Sequence, residues 1–120
     1  MIESLSATTV VVADMQRSVP FYAALGFGIH YGGADADFTS FVIGTSFHNL
    51  MLRPGFTLAE NWGRIIFYVD DVDAAHRRAL DAGLVPEFEP RDAAWGERYF
   101  HILDPDGHEL SFARPLASSK

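Results

Sequence analysis

Apolar and polar positions change their period several times along the chain, and the changes mark the elements. "ATTVVVAD" (residues 7–14) is a β-branched run closed by an aspartate suited to cap a helix. The next segment, "MQRSVPFYAALGF" (15–27), places Val19, Tyr22 and Leu25 at helical spacing and stops at Gly26. Pro20 is expected to kink this helix or shorten its first turns. Gly32 and Gly33 mark a turn, after which "FTSFVIG" (38–44) and "FHNLMLRP" (47–54) read as strands.

The same order then returns. "GRIIFYVDD" (63–71) is a strand ending in two aspartates, and "VDAAHRRALDAG" (72–83) is a helix with Val72, Ala75 and Leu80 inward. "LVPEFEP" (84–90), "ERYFHIL" (97–103) and "HELSFARP" (108–115) supply further strands. "LMLRP" closes the first half as "LSFARP" closes the second, so the chain carries an internal duplication of about 57 to 61 residues, a βαβββ unit used twice. The expected fold class is α+β: one domain over 1–120, module one at about 5–55 and module two at about 62–115. The two modules would form one curved, mixed and mostly antiparallel sheet with helices on its outer face.

Composition narrows the chemistry. At 120 residues and 48% hydrophobic, with no cysteine, the chain supports a core without disulfides and excludes thiolate nucleophiles and thiolate metal sites. A net charge of −7 argues against nucleic acid, whose phosphates need Lys and Arg, and leaves an acidic surface that favours cations. The N-terminus has no basic segment followed by an apolar run, and no stretch of about 18 apolar residues occurs, so a soluble cytoplasmic protein is expected.

"HILDPDGHELSFARP" (101–115) gathers two histidines, two aspartates and a glutamate in the manner of a metal site. "DPDG", however, is a turn: Pro105 suits its first corner, Gly107 the left-handed residue after it, and the Asp104 carboxylate accepts from nearby backbone N–H groups. Pairing Asp104 with His108 sets Ile102 opposite Leu110, Phe100 opposite Phe112 and His101 opposite Ser111, which puts the large apolar residues on one face. Tyr99, His101, Glu109 and Ser111, with Glu97, take the other. Only His101 and Glu109 of the apparent cluster share a face, and a stable divalent site needs three or four convergent ligands.

With the paired βαβββ units, "VVVADMQRSVPFYAALGF", "IIFYVDDVDAA" and "DPDGHELSF" resemble the vicinal oxygen chelate superfamily, which includes glyoxalase I, extradiol dioxygenases and the bleomycin-resistance proteins. The resemblance covers nearly the whole chain and implies the fold more than any one activity. It implies four metal-ligand slots, which here read Ala7, Leu50, Arg64 and Ser111. Alanine and leucine have no donor, arginine is a permanent cation and serine is a weak ligand. The resemblance therefore favours the bleomycin-resistance branch: a homodimeric binder without metal or other cofactor, sequestering a small-molecule ligand such as a cationic aromatic antibiotic.

The inner face is expected to carry Thr9, Val11, Arg64, Ile66, Tyr68, Tyr99, His101 and Ser111, an apolar wall with a few polar groups. Trp62 and Trp95, beside Gly63 and Gly96 at strand starts, are positioned for ligand stacking or for rim packing. Arg64 must meet a carboxylate, either Glu109, Glu97 or one on a ligand. His48, near the start of a strand, is a candidate at the cup's mouth. The ligand-binding set is thus His48, Trp62, Arg64, Tyr68, Trp95, Tyr99, His101 and Ser111, with no catalytic residue assigned. Besides an interaction-only subunit whose cup is filled by its own side chains, two enzyme alternatives stand beside it. One is a metal-dependent lyase, isomerase or dioxygenase with shifted ligands such as His101, Glu109 and His48. The other is a metal-free enzyme using His101 as general base with Tyr99 or Tyr68 as proton donor.

Overall fold

The computed structural model describes residues 1–117. The chain divides into two compact units, Met1–Ala59 and Glu60–Lys120. Unit one runs β1 (Ala7–Val12), α1 (Met15–Ala24), β2 (Gly28–Tyr31), β3 (Phe38–Ile43) and β4 (Ser46–Leu52). Unit two runs β5 (Arg64–Tyr68), α2 (Val72–Asp81), β6 (Arg91–Asp92), β7 (Glu97–Leu103) and β8 (Glu109–Pro115). The βαβββ order therefore occurs twice. The eight strands hydrogen-bond as two four-stranded sheets, one per unit, where the sequence suggests a single curved sheet. Their orders correspond, β1-β4-β3-β2 and β5-β8-β7-β6. Each sheet is mixed, with one parallel pair, β1 with β4 or β5 with β8, and otherwise antiparallel pairs.

Both helices start the same way. Asp14 accepts from the Arg17 amide at 3.2 Å and Asp71 from the Ala74 amide at 3.0 Å, each satisfying one of the donors a helix start leaves open. Pro20 lies inside α1 without ending it. The inner side of α2 is Val72, Ala75, His76 and Ala79, the i, i+3, i+4, i+7 pattern of one helical face. Leu80, expected inward, is 52% exposed because it lies one residue past Ala79 and off that stripe. His76 meets the edge of Phe100 at 5.1 Å, so this histidine packs against the sheet.

In unit two the apolar face of the sheet is a row of rings, Phe67 on Phe112 at 5.7 Å and Phe112 on Phe100 at 5.4 Å, with Ile102 and Leu110 buried beside them. Each such side chain contributes about 1.5–3 kcal/mol when removed from water. Unit one buries Val10, Val12, Tyr22, Phe41 and Leu50 in the same way. "LVPEFEP" forms no strand: Pro86 and Pro90 cannot donate to a ladder, and the segment is tied to β7 by the Glu87 amide donating to the His101 carbonyl at 2.8 Å. The two-residue β6 takes the edge instead.

The turn reads as its residues require. Asp104 and His108 close it, with the Asp104 amide donating to the His108 carbonyl at 2.8 Å, and Gly107 has φ 96°. The buried Asp104 carboxylate accepts from the amides of Asp106 and His108, both at 2.9 Å. The β7–β8 register follows: Ile102 faces Leu110, His101 faces Ser111 and Phe100 faces Phe112. No helix among the described residues is long and apolar enough to cross a membrane.

Candidate functional site

Strand alternation sends Phe67, Phe100, Ile102, Leu110 and Phe112 toward α2 and the residues between them to the opposite face. On that face Arg64, Ile66 and Tyr68 of β5 stand beside Glu109, Ser111 and Ala113 of β8, while His101 and Tyr99 of β7 flank Ser111 and Ala113. A cavity of about 300 Å³ opens there, lined by Arg64, Ile66, Ser111, His101 and Tyr99, with Trp95 and Glu97 at the β7 entry.

Arg64 is committed to Glu109. Its Nε donates to Oε1 at 2.8 Å and its Nη2 reaches the same oxygen at 2.8 Å. Glu109 is buried, which alone would raise its pKa, but hydrogen bonds from Glu87 and Arg64 outweigh that and hold it below the usual carboxylate range. Glu87 goes the other way. Burial and its hydrogen bond to Glu109 raise it, so of the two carboxyls Glu87 is the one that keeps the proton. His101 lies between the Phe88 and Tyr99 rings, both at 5.1 Å, with Nδ1 3.8 Å from Glu109 Oε2. Burial, then the positive charges of Arg64 and Arg91, lower its pKa despite Glu109, and the ring is neutral at pH 7.

Of the eight residues singled out from sequence, Arg64, Trp95, Tyr99, His101 and Ser111 line the cavity. Tyr68 adjoins it through its hydroxyl, which donates to Glu97. Trp62 is placed otherwise: its Nε1–H donates to His108 Nδ1 at 2.7 Å and braces the "DPDG" loop. His48 is a correction. It is fully buried in β4, hydrogen-bonded to Thr8 Oγ1 at 2.8 Å and 5.1 Å from the Tyr22 ring, because β4 begins at Ser46 and puts this position on the core side. Glu87 escaped the sequence reading, since its backbone is irregular and no periodicity assigns it a face.

The slots that the resemblance implies for a metal are testable here. Ala7 and Arg64 begin their strands as expected, and Ser111 lies on the open face. Leu50 does not: it is fully buried, and Asn49, paired with Thr9 as Ser111 is with Ile66, holds the equivalent place. From that place to the closing Arg-Pro, module one has one residue more (Asn49 to Pro54 against Ser111 to Pro115), which displaced the alignment. Asn49 Nδ2 donates to Thr9 Oγ1 at 3.2 Å. Alanine, asparagine, arginine and serine do not fit a resident divalent ion at those slots. A different set approaches one: donor atoms of Glu87, His101 and Glu109 lie within 4.8 Å of one another, although Arg64 already occupies Glu109.

The family model described as Glyoxalase/Bleomycin resistance protein/Dioxygenase superfamily matches residues 4–112. An uncharacterized protein of Mycobacterium bovis is 44% identical over 48 residues, 40% of this chain and 32% of that protein, so the match spans about a third of that relative's length. Among solved structures, a bleomycin resistance determinant encoded on transposon Tn5 aligns with TM-score 0.77 and 22% identity over 94% of this chain and 98% of that one. A bleomycin-binding protein complexed with bleomycin gives TM-score 0.73 at 22% identity, with coverage of 94% and 98%. The fosfomycin resistance protein FosX from Mesorhizobium loti gives TM-score 0.75 at 26% identity, with coverage of 99% and 96%.

Proposed function

Since the chain belongs to the glyoxalase/bleomycin resistance protein/dioxygenase superfamily, we propose that it is one of that superfamily's small-molecule binders, metal-free and acting by sequestration. Its ligand lies in the cavity of the second sheet, and cationic aromatic antibiotics of the bleomycin kind are the first ligands to test. The observation that carries this reading is the Arg64–Glu109 ion pair, which fixes a cation at a position where a metal enzyme of the fold needs a donor. Likeness to a bleomycin-binding protein and to a bleomycin resistance determinant supports the same branch. The protein would work as a cytoplasmic homodimer. Exposed apolar side chains in both sheets, Ile29, Tyr31 and Val42 in the first and Ile66 and Tyr68 in the second, support association.

The test is thermal melting of protein of known metal content, with bleomycin, other aromatic cations, EDTA and divalent ions. A binder gains about 2.7 kcal/mol at a ligand concentration 100 times its dissociation constant, and EDTA leaves it unchanged. A stoichiometric divalent ion whose removal lowers the melting temperature overturns the metal-free reading.

The approach of Glu87, His101 and Glu109 favours a second reading, a metal-dependent lyase, isomerase or dioxygenase with shifted ligands. On that reading the ion would displace Arg64 from Glu109, and Glu87→Gln and His101→Ala would each abolish metal uptake, measured by metal analysis after dialysis.

A further inference from the structure

Glu97 lines the cavity and, among the described residues, has no cationic side chain within ion-pair distance. Arg64 pairs with Glu109 and Arg98 with Asp73 and Asp92, and none of these pairs includes Glu97. Its oxygens instead take neutral aromatic donors: Trp95 Nε1–H donates to Oε1 at 2.9 Å and the Tyr68 hydroxyl to Oε2. Two donors, one from the turn before β7 and one from β5, hold the carboxylate in one orientation, and each oxygen keeps a further lone pair for another N–H. The arginines beside the cavity's aromatic rings and Glu109 are engaged elsewhere. Arg64 is bound to Glu109, and Arg91 lies over the Phe88 ring at 3.7 Å and 5.6 Å from the Tyr99 centroid. Around the carboxylate stand the Trp95 and Tyr99 rings, 5.3 Å apart and inclined by 40°. Aromatic faces attract cations through their quadrupole, and a fixed carboxylate among them adds charge and hydrogen bonding.

We infer that Glu97, framed by Trp95 and Tyr68, is an organic-cation subsite of this cavity and selects ligands carrying an ammonium or guanidinium group. The inference rests on the reading of this face as a ligand site and names the group that sets its charge preference. Bracing Trp95 and Tyr68 is an alternative role for Glu97, and that role gives no preference for charge.

The experiment titrates ¹⁵N-labelled full-length protein with benzylamine, benzyltrimethylammonium, benzyl alcohol and benzoate. The chain has two tryptophans, so the Trp95 indole N–H reports the subsite and that of Trp62 serves as internal control. Both cations are expected to shift the Trp95 signal and to bind about tenfold more tightly than benzyl alcohol, the effect of one charge-assisted contact. Glu97→Gln is expected to remove that preference and leave benzyl alcohol unchanged. Tyr68→Phe, at an exposed position that tolerates substitution, loosens the carboxylate and weakens both cations without affecting benzyl alcohol. Binding of benzyl alcohol or benzoate as tight as that of benzylamine, or a cation preference that survives Glu97→Gln, overturns the inference while leaving the ligand site standing. If none of the four probes binds, and bleomycin does not bind either, the functional reading fails and the subsite with it.

Discussion

Four side chains, Arg64, Glu87, His101 and Glu109, set the electrostatics of the cavity, and each is informative alone. Removing Arg64 leaves a buried carboxylate without its cation; Arg64→Met should cost about 2 kcal/mol, below the usual range for a buried pair because the guanidinium is partly exposed. Adding Glu109→Gln should recover much of that loss, as chemical denaturation will show. The pH dependence has a worked sign. The folded state lowers the pKa of His101, so the unfolded chain takes up this proton first as pH falls. Stability therefore drops below the ordinary imidazole value of about 6.5, and levels off once folded His101 is itself protonated. Glu87 contributes oppositely. Its raised pKa gives stability at low pH that is lost as pH rises through the raised value. Comparing urea midpoints of His101→Gln with the parent between about pH 7.5 and 5 isolates the histidine, and the variant should lose less stability across that window. Arginine's need for a carboxylate was readable because a charge at an inward strand position requires a partner. Glu87 was unreadable, since only the path of an irregular segment brings it to Glu109.

Among the elements, the "DPDG" turn does the most to place the site, because its register sends His101 and Ser111 to one face and Phe100 and Phe112 to the other. Asp104→Ala removes the acceptor for two backbone amides in a buried loop and should cost about 1–3 kcal/mol, measured by thermal unfolding. Turn chemistry and strand alternation were sufficient to derive this hairpin. They fell short in "LVPEFEP", where an apolar pattern suggested a strand that two prolines forbid. They also misplaced His48 and Leu50 relative to the sheet, since side chains alternate with period two and an offset of one residue exchanges core for open face.

At the scale of the molecule, the duplication kept a scaffold and let the chemistry diverge. Equivalent register positions read Ala7, Ser40, Phe47 and Asn49 in unit one against Arg64, His101, Glu109 and Ser111 in unit two. A cavity of about 400 Å³ in the first unit is lined by Ala7, Ser40, Phe47 and Asn49 with Ser6, His30, Tyr31 and Phe38, and none of them is an Asp, Glu, Lys or Arg. Arg64 and Glu97 line the corresponding cavity in unit two, so the charged lining is on that side of the duplication. A homodimer has a signature of its own: its melting temperature rises with protein concentration, because association favours the folded state. Sedimentation and melting over a hundredfold concentration range should show both effects, and a monomer with a fixed melting temperature would exclude the dimer.

The order of elements, the twofold repeat, the hairpin register and the absence of good donors at three implied metal slots all followed from the sequence. Each depends on contacts between residues close along the chain or on side-chain chemistry that no fold can change. Tertiary structure decided what depends on distant segments meeting. It joined Glu87 to Glu109, withdrew Trp62 to brace His108, buried His48 against Tyr22, and set Glu97 between Trp95 and Tyr68. Such pairings are fixed by packing and strand register in space, and local periodicity carries no record of them.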